Sequence, residues 1–294
     1  MLVSVCTVTY NRRPFIPFLI QCFQHQDYVG EVEWIIIDDG TDPIEDLVKD
    51  IPQVKYIKLN KKLPLGKKRN LMHEHCSGDI FVYMDDDDYY PPTRISHAVQ
   101  KLQESKYLCA GSSMIHVYYA HLHKILEFGP YGVNHATAGT FAFKKELLST
   151  CSYEETETLA EEAYFLKGFT IPMVQLDPKH VILVVSHSHN TFDKKTILKQ
   201  GKETEMLVAD WIENPILYQF FKYDIQCLTP KREEFSIRIG NTVMKEDEIL
   251  KTLNQQHQYI LHLSKQIKAM KEEVLSGIEP ELPDSKSGVI TITP

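Results

Sequence analysis

Three runs in the first third of the chain, Leu2–Val8, Glu33–Ile37 and Ile80–Met84, are short and apolar at nearly every position, and Lys55–Leu59 has the length and residue types of a further strand. A strand that is apolar on both faces needs cover on both, which is the situation of a buried parallel sheet rather than of a hairpin with one wet face. Helical spacing separates the runs. Phe15, Phe18, Leu19 and Cys22 recur at i, i+3, i+4 and i+7, helical material spans Gly66 to about Cys76, and a further helix is expected from about Pro92 to Glu104. This alternation predicts an α/β fold with a single, mainly parallel central sheet flanked by helices. Downstream, strands are expected at Tyr107–Tyr119, Lys124–Phe128, Gly139–Phe143, Ile171–Gln175 and Val181–His187, with a helix over Glu154–Lys167. Residues 191–243 have weaker periodicity and are expected as helices and loops packed on the sheet.

From Met244 to about Ser276 no Gly or Pro interrupts a polar helical pattern. Leu253, Ile260, Ile267 and Val274 fall seven apart, and Ile249, Leu263 and Met270 occupy the complementary positions. Such a stripe suits a coiled coil, and hence a homo-oligomer, or packing of the helix on its own chain. The tail over 277–294, with Pro280, Pro283 and Pro294, is expected to be flexible.

The 294 residues include 32 Lys and Arg against 40 Asp and Glu, a formal charge of −8. That balance argues against a nucleic-acid partner bound through phosphate neutralisation, which needs a basic surface. With 43% apolar residues the chain is neither disordered nor fibrous. The six cysteines show no C-x-x-C pair, the N-terminal apolar stretch precedes its basic residues in the reverse of a signal peptide, and no run approaches membrane-span length. A cytoplasmic, reducing location is expected.

Chemistry concentrates at strand ends. Asp85-Asp86-Asp87-Asp88 follows the strand IFVYM directly and precedes Tyr89-Tyr90-Pro91-Pro92. Four adjacent carboxylates repel, and a divalent cation offsets that cost while leaving coordination positions for phosphates. A solvated acidic loop is the alternative, which the preceding buried strand disfavours. Asp38-Asp39-Gly40 ends a second strand at what should be the same sheet edge, where ligands bind in open α/β sheets. There an aspartate can accept from a base N–H or a ribose hydroxyl, although Asp-Gly is also ordinary turn chemistry. Thr7, Thr9, Tyr10, Asn11 and Arg12 follow the first strand, where backbone groups can hold a base and Arg12 or Arg13 can meet phosphate. Gly66, Lys68, Arg69 and Asn70 form a basic helix start suited to an anion. It is not a Walker A loop, because Lys61 stands where the first Gly belongs and Lys68 where Ser or Thr is required.

In this order, TVTYNRR, WIIIDDG, LGKKRN and FVYMDDDDYYPP resemble the nucleotide-sugar-binding half of family-2 glycosyltransferases of the GT-A fold. The resemblance is clear over residues 1–100 and fair to about 190. It implies a catalytic domain over 1–243, with a nucleotide-sugar-binding half at 1–105, an acceptor and catalytic half at 106–190 and packing helices at 191–243. Placing the motif's trailing proline on Pro92 makes Asp85 and Asp87 the Asp-x-Asp pair. Asp87 then coordinates metal, Asp85 or Asp86 contacts ribose or metal, and Asp39, with Asp38 as the near alternative, reads the base. AGTFAFKKELL at 138–148 resembles the segment that floors the sugar and acceptor pocket. Glu161-Glu162 resembles the Glu-Asp motif whose second acid is the general base, a role that carries to Glu162; a solvated face is the alternative for so acidic a segment. His187 and His189 follow a β-branched strand and, if it continues, share one side; a histidine in this region completes the metal site in many such enzymes. A hydrogen-bonding pair at a strand end is equally open.

The implied activity is inverting transfer from a nucleoside-diphosphate sugar, with a UDP-sugar favoured, to a hydroxyl acceptor on a glycan or other glycoconjugate, with Mn²⁺ or Mg²⁺ as cofactor. The competing classes are a haloacid-dehalogenase-type phosphatase, disfavoured by Tyr89 and the late position of the acids, and a nucleotidyltransferase, which wants a glycine-rich loop that TVTYNRR lacks. The third is a catalytically inactive coiled-coil interaction protein.

Overall fold

In the computed structural model, residues 1–156 and 161–228, the strands at 236–239 and 242–245, and positions 256, 260 and 263 are described. The chain divides into two compact units, Met1–Pro230 and Lys231–Pro294.

The first unit begins β1 (Leu2–Thr9), α1 (Ile16–Gln24), β2 (Glu31–Asp38), α2 (Glu45–Val48), β3 (Val54–Lys58), α3 (Leu65–His75), β4 (Ile80–Tyr83) and α4 (Arg94–Glu104). It continues β5 (Cys109–Gly111), β6 (Ile115–Tyr119), β7 (Lys124–Phe128), β8 (Ala142–Lys144), α5 (Glu162–Phe165), β9 (Met173–Gln175), β10 (Leu183–Ser186), β11 (Lys202–Glu203) and α6 (Pro215–Lys222). The central sheet has the order β3-β2-β1-β4-β8-β5-β9. Four of its six pairings are parallel, so the sheet is mainly parallel, and β8 runs against both β4 and β5. A second sheet, β10-β6-β7-β11, stands beside it.

The doubly apolar strands are explained by two cores, one on each face. Val3, Val5, Trp34, Ile36, Ile80 and Val82 enter one, with α1, α4 and the second sheet. Cys6, Ile35, Ile37, Phe81 and Tyr83 enter the other, with α3 and an aromatic group of Phe141, Phe143, Tyr153 and Phe165. Alternate residues thus go to opposite layers, as the pleat requires. Each fully buried Ile or Phe contributes roughly 1.5–3 kcal/mol through burial.

Two expectations are corrected. Tyr107–Tyr119 is not one strand, because the chain leaves the central sheet after Gly111 and enters the second sheet at Ile115. The intervening turn is held by Ser112 N on Thr140 Oγ1 at 2.9 Å and Ser113 N on Gln175 Oε1 at 2.8 Å. Of Glu154–Lys167, only Glu162–Phe165 is α-helical among the described residues; 157–160 lie outside them. Left-handed backbone at Lys167, Gly168 and Phe169 (φ 50°, 66° and 61°) ends this helix.

In the second unit β12 (Ser236–Ile239) pairs antiparallel with β13 (Thr242–Lys245). Met244 and Lys245, expected at the start of the long helix, are therefore strand residues. Apart from helical positions at 256, 260 and 263, the heptad segment and the tail lie outside the described residues. No helix among the described residues is long and apolar enough to cross a membrane.

Candidate active site

β1, β2 and β4 are parallel, so their C-terminal ends share one edge. Asn11, Asp38–Asp39 and the four-aspartate run gather there. Asn11 takes the left-handed region (φ 54°) that Asn tolerates, and its Oδ1 accepts from the backbone N–H groups of Thr41 at 2.8 Å and Asp42 at 3.1 Å. The loop after β1 is thereby fastened to the loop after β2. Gly40 is required at this contact, since a Cβ there would stand 2.6 Å from Asn11 N.

The two neighbouring acids of β2 divide their work. Asp38 accepts from Gly40 N at 2.8 Å, Ile44 N at 3.3 Å and Tyr56 Oη at 2.6 Å, so it closes the loop. Asp39 accepts from Leu63 N at 2.8 Å and from the buried Lys68 ammonium. A carboxylate has about four lone-pair positions, so Asp39 retains acceptor capacity. Lys68 and Lys62 also lie near the Tyr10 ring, at 5.9 and 3.8 Å from its centroid. Burial lowers the Lys68 pKa, against the pull of Asp39.

Other expected ligand residues are committed inside the protein. Thr7 Oγ1 donates to Met84 O at 2.7 Å and accepts from Trp34 Nε1 at 2.9 Å. Thr9 is buried. Asn70 clamps Tyr153 through both ends of its amide, at 2.9 Å each. Gly66 allows the 153–156 segment to pass over the start of α3, where a Cβ would stand 2.0 Å from Glu154 O. Arg13 bonds Asp42 and Asp46, whereas Arg12 lies 3.6 Å from Asp86 and 3.4 Å from Asp87.

The second sheet delivers the histidine. Tyr89 and Leu183 exchange backbone hydrogen bonds at 3.1 and 2.9 Å, and Asp88 Oδ1 accepts from Val185 N at 2.8 Å. β10 is thus stitched to the end of the acidic run, which brings His187 Nε2 to 3.2 Å from Asp87 Oδ2. β10 stops at Ser186 and the chain turns, so the strand alternation expected for the histidines does not extend to them. His187 meets Asp87, and both rings pack on Phe15, that of His187 tilted at 4.9 Å and that of His189 edgewise at 5.3 Å. Burial lowers the His187 pKa despite Asp87, which favours the neutral, ligating form. For Asp87, burial is outweighed by the His187 hydrogen bond and by Lys194 and Arg12, so its pKa lies well below the usual range. Asp86 is pushed up to about 7 by burial and by Asp87, with Arg12 opposing.

Among the described residues no group of three His, Cys, Asp or Glu side chains is placed to hold a metal ion. The pair Asp87 and His187 nevertheless fits a hard-to-borderline cation such as Mn²⁺, supplying one carboxylate and one imidazole while leaving positions for phosphate oxygens. Asp85 turns instead to Arg69.

Arg69 links the two halves of the site. Its Nη2 lies 3.5 Å from Asp85 Oδ1, its Nε donates to Glu161 Oε1 at 2.9 Å, and its guanidinium lies 4.6 Å from the Tyr83 ring centroid. Glu161 is buried in this pair. Glu162, its neighbour on α5, is only half-buried, and its pKa is pushed up to about 7 by burial and then by Glu161, with Arg69 opposing. The acid pair therefore separates into a partner of Arg69 and a carboxylate with a raised pKa, the pattern of a candidate general base.

Three further contributors were not singled out from the sequence. Asn190 Nδ2 donates to Asp87 Oδ2 at 3.3 Å, and Lys194 opposes the burial that raises the pKa of Asp85 and Asp88 and helps hold that of Asp87 down. Fully buried Arg94 donates to the carbonyls of Tyr83 at 3.0 Å and Phe141 at 2.6 Å beneath the acidic run. An arginine on the apolar face of a helix was a usable signal for Arg94. No local pattern marks Lys194 or Asn190, because only tertiary folding brings their segment to the acids.

The fold is the GT-A fold of nucleotide-diphospho-sugar transferases. The family model "Glycosyl transferase family 2" matches residues 4–145. The chain is 26% identical over 118 residues to the glycosyltransferase YwdF of Bacillus subtilis, covering 39% of this chain and 43% of that protein. It is 31% identical over 121 residues to the GalNAc(5)-diNAcBac-PP-undecaprenol beta-1,3-glucosyltransferase of Campylobacter jejuni, covering 38% of each. The chain thus spans about two fifths of these relatives. Among solved structures, S. aureus TarS 1–349 in complex with UDP-GlcNAc shares the fold with TM-score 0.53 at 18% identity, over 67% of this chain and 61% of that one. The mannosyltransferase PcManGT of Pyrobaculum calidifontis, in complex with GDP-Man and Mn²⁺, does so with TM-score 0.52 at 17% identity, over 64% and 58%.

Proposed function

We propose that the protein transfers a sugar from a nucleoside-diphosphate sugar, a UDP-sugar first, to a hydroxyl of a glycan or other glycoconjugate, with inversion at C1 and with Mn²⁺ or Mg²⁺ as cofactor. The observation that supports this reading is the Arg69 bridge, which joins Asp85 of the acidic run to Glu161, the neighbour of Glu162. The UDP-GlcNAc of the TarS complex and the GDP-Man and Mn²⁺ of the PcManGT complex support the donor class and the metal. A cytoplasmic location belongs to the same proposal.

Asp39 accepts from the nucleobase through its remaining lone pairs, beside Tyr10. Asp87 and His187 would hold the metal, and a cation there would supply positive charge to offset that developing on the departing diphosphate. Arg12, already beside Asp86 and Asp87, adds positive charge to the same region. Glu162 takes the proton of the acceptor hydroxyl as that oxygen bonds C1. The C1–O bond to the diphosphate breaks on the opposite face, and its electron pair leaves with the diphosphate. General-base help of this kind contributes about 10²–10⁴-fold.

The test is a panel of nucleotide-sugars, with and without Mn²⁺, scored for nucleotide release and for thermal stabilisation of the full chain. Metal-dependent stabilisation by at least one nucleotide-sugar is expected; none with any nucleoside diphosphate would sink the proposal.

A further inference from the structure

Tyr131, His135 and Phe169 form a row of rings outside the site described so far. The His135 centroid lies 4.9 Å from that of Tyr131 and 4.6 Å from that of Phe169, the second pair stacked at 29°. The outer end is open, with Tyr131 54% exposed and Val133 78% exposed.

The loop that carries these groups is tightly fastened. Ser113 Oγ accepts from the N–H groups of Tyr131 at 2.7 Å and Gly132 at 2.9 Å. Gln175 Nε2 donates to the carbonyls of Val133 at 2.8 Å and His135 at 3.1 Å, while Gln175 Oε1 accepts from Ser113 N. At its start Gly129 has φ +90°, and a Cβ there would stand 2.2 Å from Ser113 O. An exposed tyrosine on a loop so pinned has lost its ordering entropy before any ligand arrives.

Its place in the fold gives the row a function. β4 and β5 both run against β8, and β9 is parallel to β5, so the ends of β4, β5 and β9 lie at one edge. The loop sits over the ends of β5 and β9 and then descends to Gly139, where a Cβ would stand 2.9 Å from Asp85 Oδ2. Along the sheet the order is Asp39 on β2, the acidic run on β4, then this loop, so the row lies on the far side of the acids from the base site. Burial and then Tyr131 push the pKa of Tyr119 up to about 12, and the Tyr119 hydroxyl donates to Lys194 O at 2.9 Å.

A tyrosine presents a flat apolar face with a polar tip, which matches the C–H face and hydroxyl rim of a pyranose ring. We propose that the Tyr131–His135–Phe169 row is an acceptor subsite that binds a pyranose ring, so that the acceptor is itself a carbohydrate. The word acceptor rests on the transferase proposal; the sugar-binding claim does not.

The experiment uses the full chain with methyl glycosides of glucose, galactose, mannose, N-acetylglucosamine and N-acetylgalactosamine, followed by saturation-transfer NMR. In parallel, the thermal shift given by UDP or GDP with Mn²⁺ is measured. At least one glycoside is expected to bind through its ring protons. Tyr131→Ala is expected to weaken it about tenfold while Tyr131→Phe keeps most of the binding, with the nucleotide shift unchanged in both. If no glycoside binds while the nucleotide shift is present, or if Tyr131→Ala binds as the wild type does, the subsite is overturned. If glycosides bind as expected but no nucleotide gives a shift, the acceptor role falls and a sugar-binding site stands.

Discussion

Glu162 shows how much of the chemistry depends on a single side chain's surroundings. A general base works only when deprotonated, and burial together with Glu161 pushes the Glu162 pKa up to about 7. The transfer rate is therefore expected to fall about tenfold per pH unit well below that value and to level off above it, which a kcat profile from pH 5 to 9 reads directly. Glu162→Gln should lose about 10²–10⁴ in kcat, lose the acid limb of the profile, and keep the donor-induced thermal shift. Arg69 carries a structural burden as well. It is buried beside Glu161, and Arg69→Met leaves that carboxylate without its charge partner, a change expected to cost about 3–5 kcal/mol in denaturant unfolding. The family resemblance marked the Glu161-Glu162 pair but not which member Arg69 would take, because that choice is made across 92 residues of sequence separation.

Between elements, two couplings position the site. α3 holds the segment leading to α5 through the Asn70 clamp and through the close passage of Glu154 over Gly66. Gly66→Ala puts a methyl group where the Glu154 carbonyl stands, so it is expected to destabilise the fold by about 1–3 kcal/mol. It should also reduce kcat, because the displaced strand of chain carries Glu162; melting temperature and single-turnover rate check the two effects. The other coupling is β10 stitched to Tyr89 and Asp88, which delivers His187. Apart from the short α2, helix and strand existence through β4 and α4 was readable from the apolar periods. The break at Ser112–Ser113 was missed although Gly111-Ser112-Ser113 is a local turn signal, and the side-chain bonds to Thr140 and Gln175 hold the chain in its new direction there.

For the molecule as a whole, the acidic excess is concentrated where the parallel strands end. Six aspartates, Asp38, Asp39 and Asp85–Asp88, meet there with Arg12, Lys68 and Arg69 in close attendance. An anionic donor approaching this edge needs cationic help beyond those side chains. Chelation with EDTA is therefore expected to abolish the nucleotide-sugar thermal shift, and added Mn²⁺ to restore it; a shift that survives chelation would remove the metal from the proposal.

By itself the sequence determined that the first hundred residues build a covered, mainly parallel sheet, because strands apolar on both faces have no other stable setting, and that acids stand at the ends of those strands. Tertiary structure alone decided which partner each member of a pair takes. Asp38 closes a turn while Asp39 takes Leu63 N and the Lys68 ammonium, His187 meets Asp87, and Arg69 takes Glu161. Neighbouring residues share composition and local pattern, and what separates them is the direction each side chain takes once distant segments are brought to one edge.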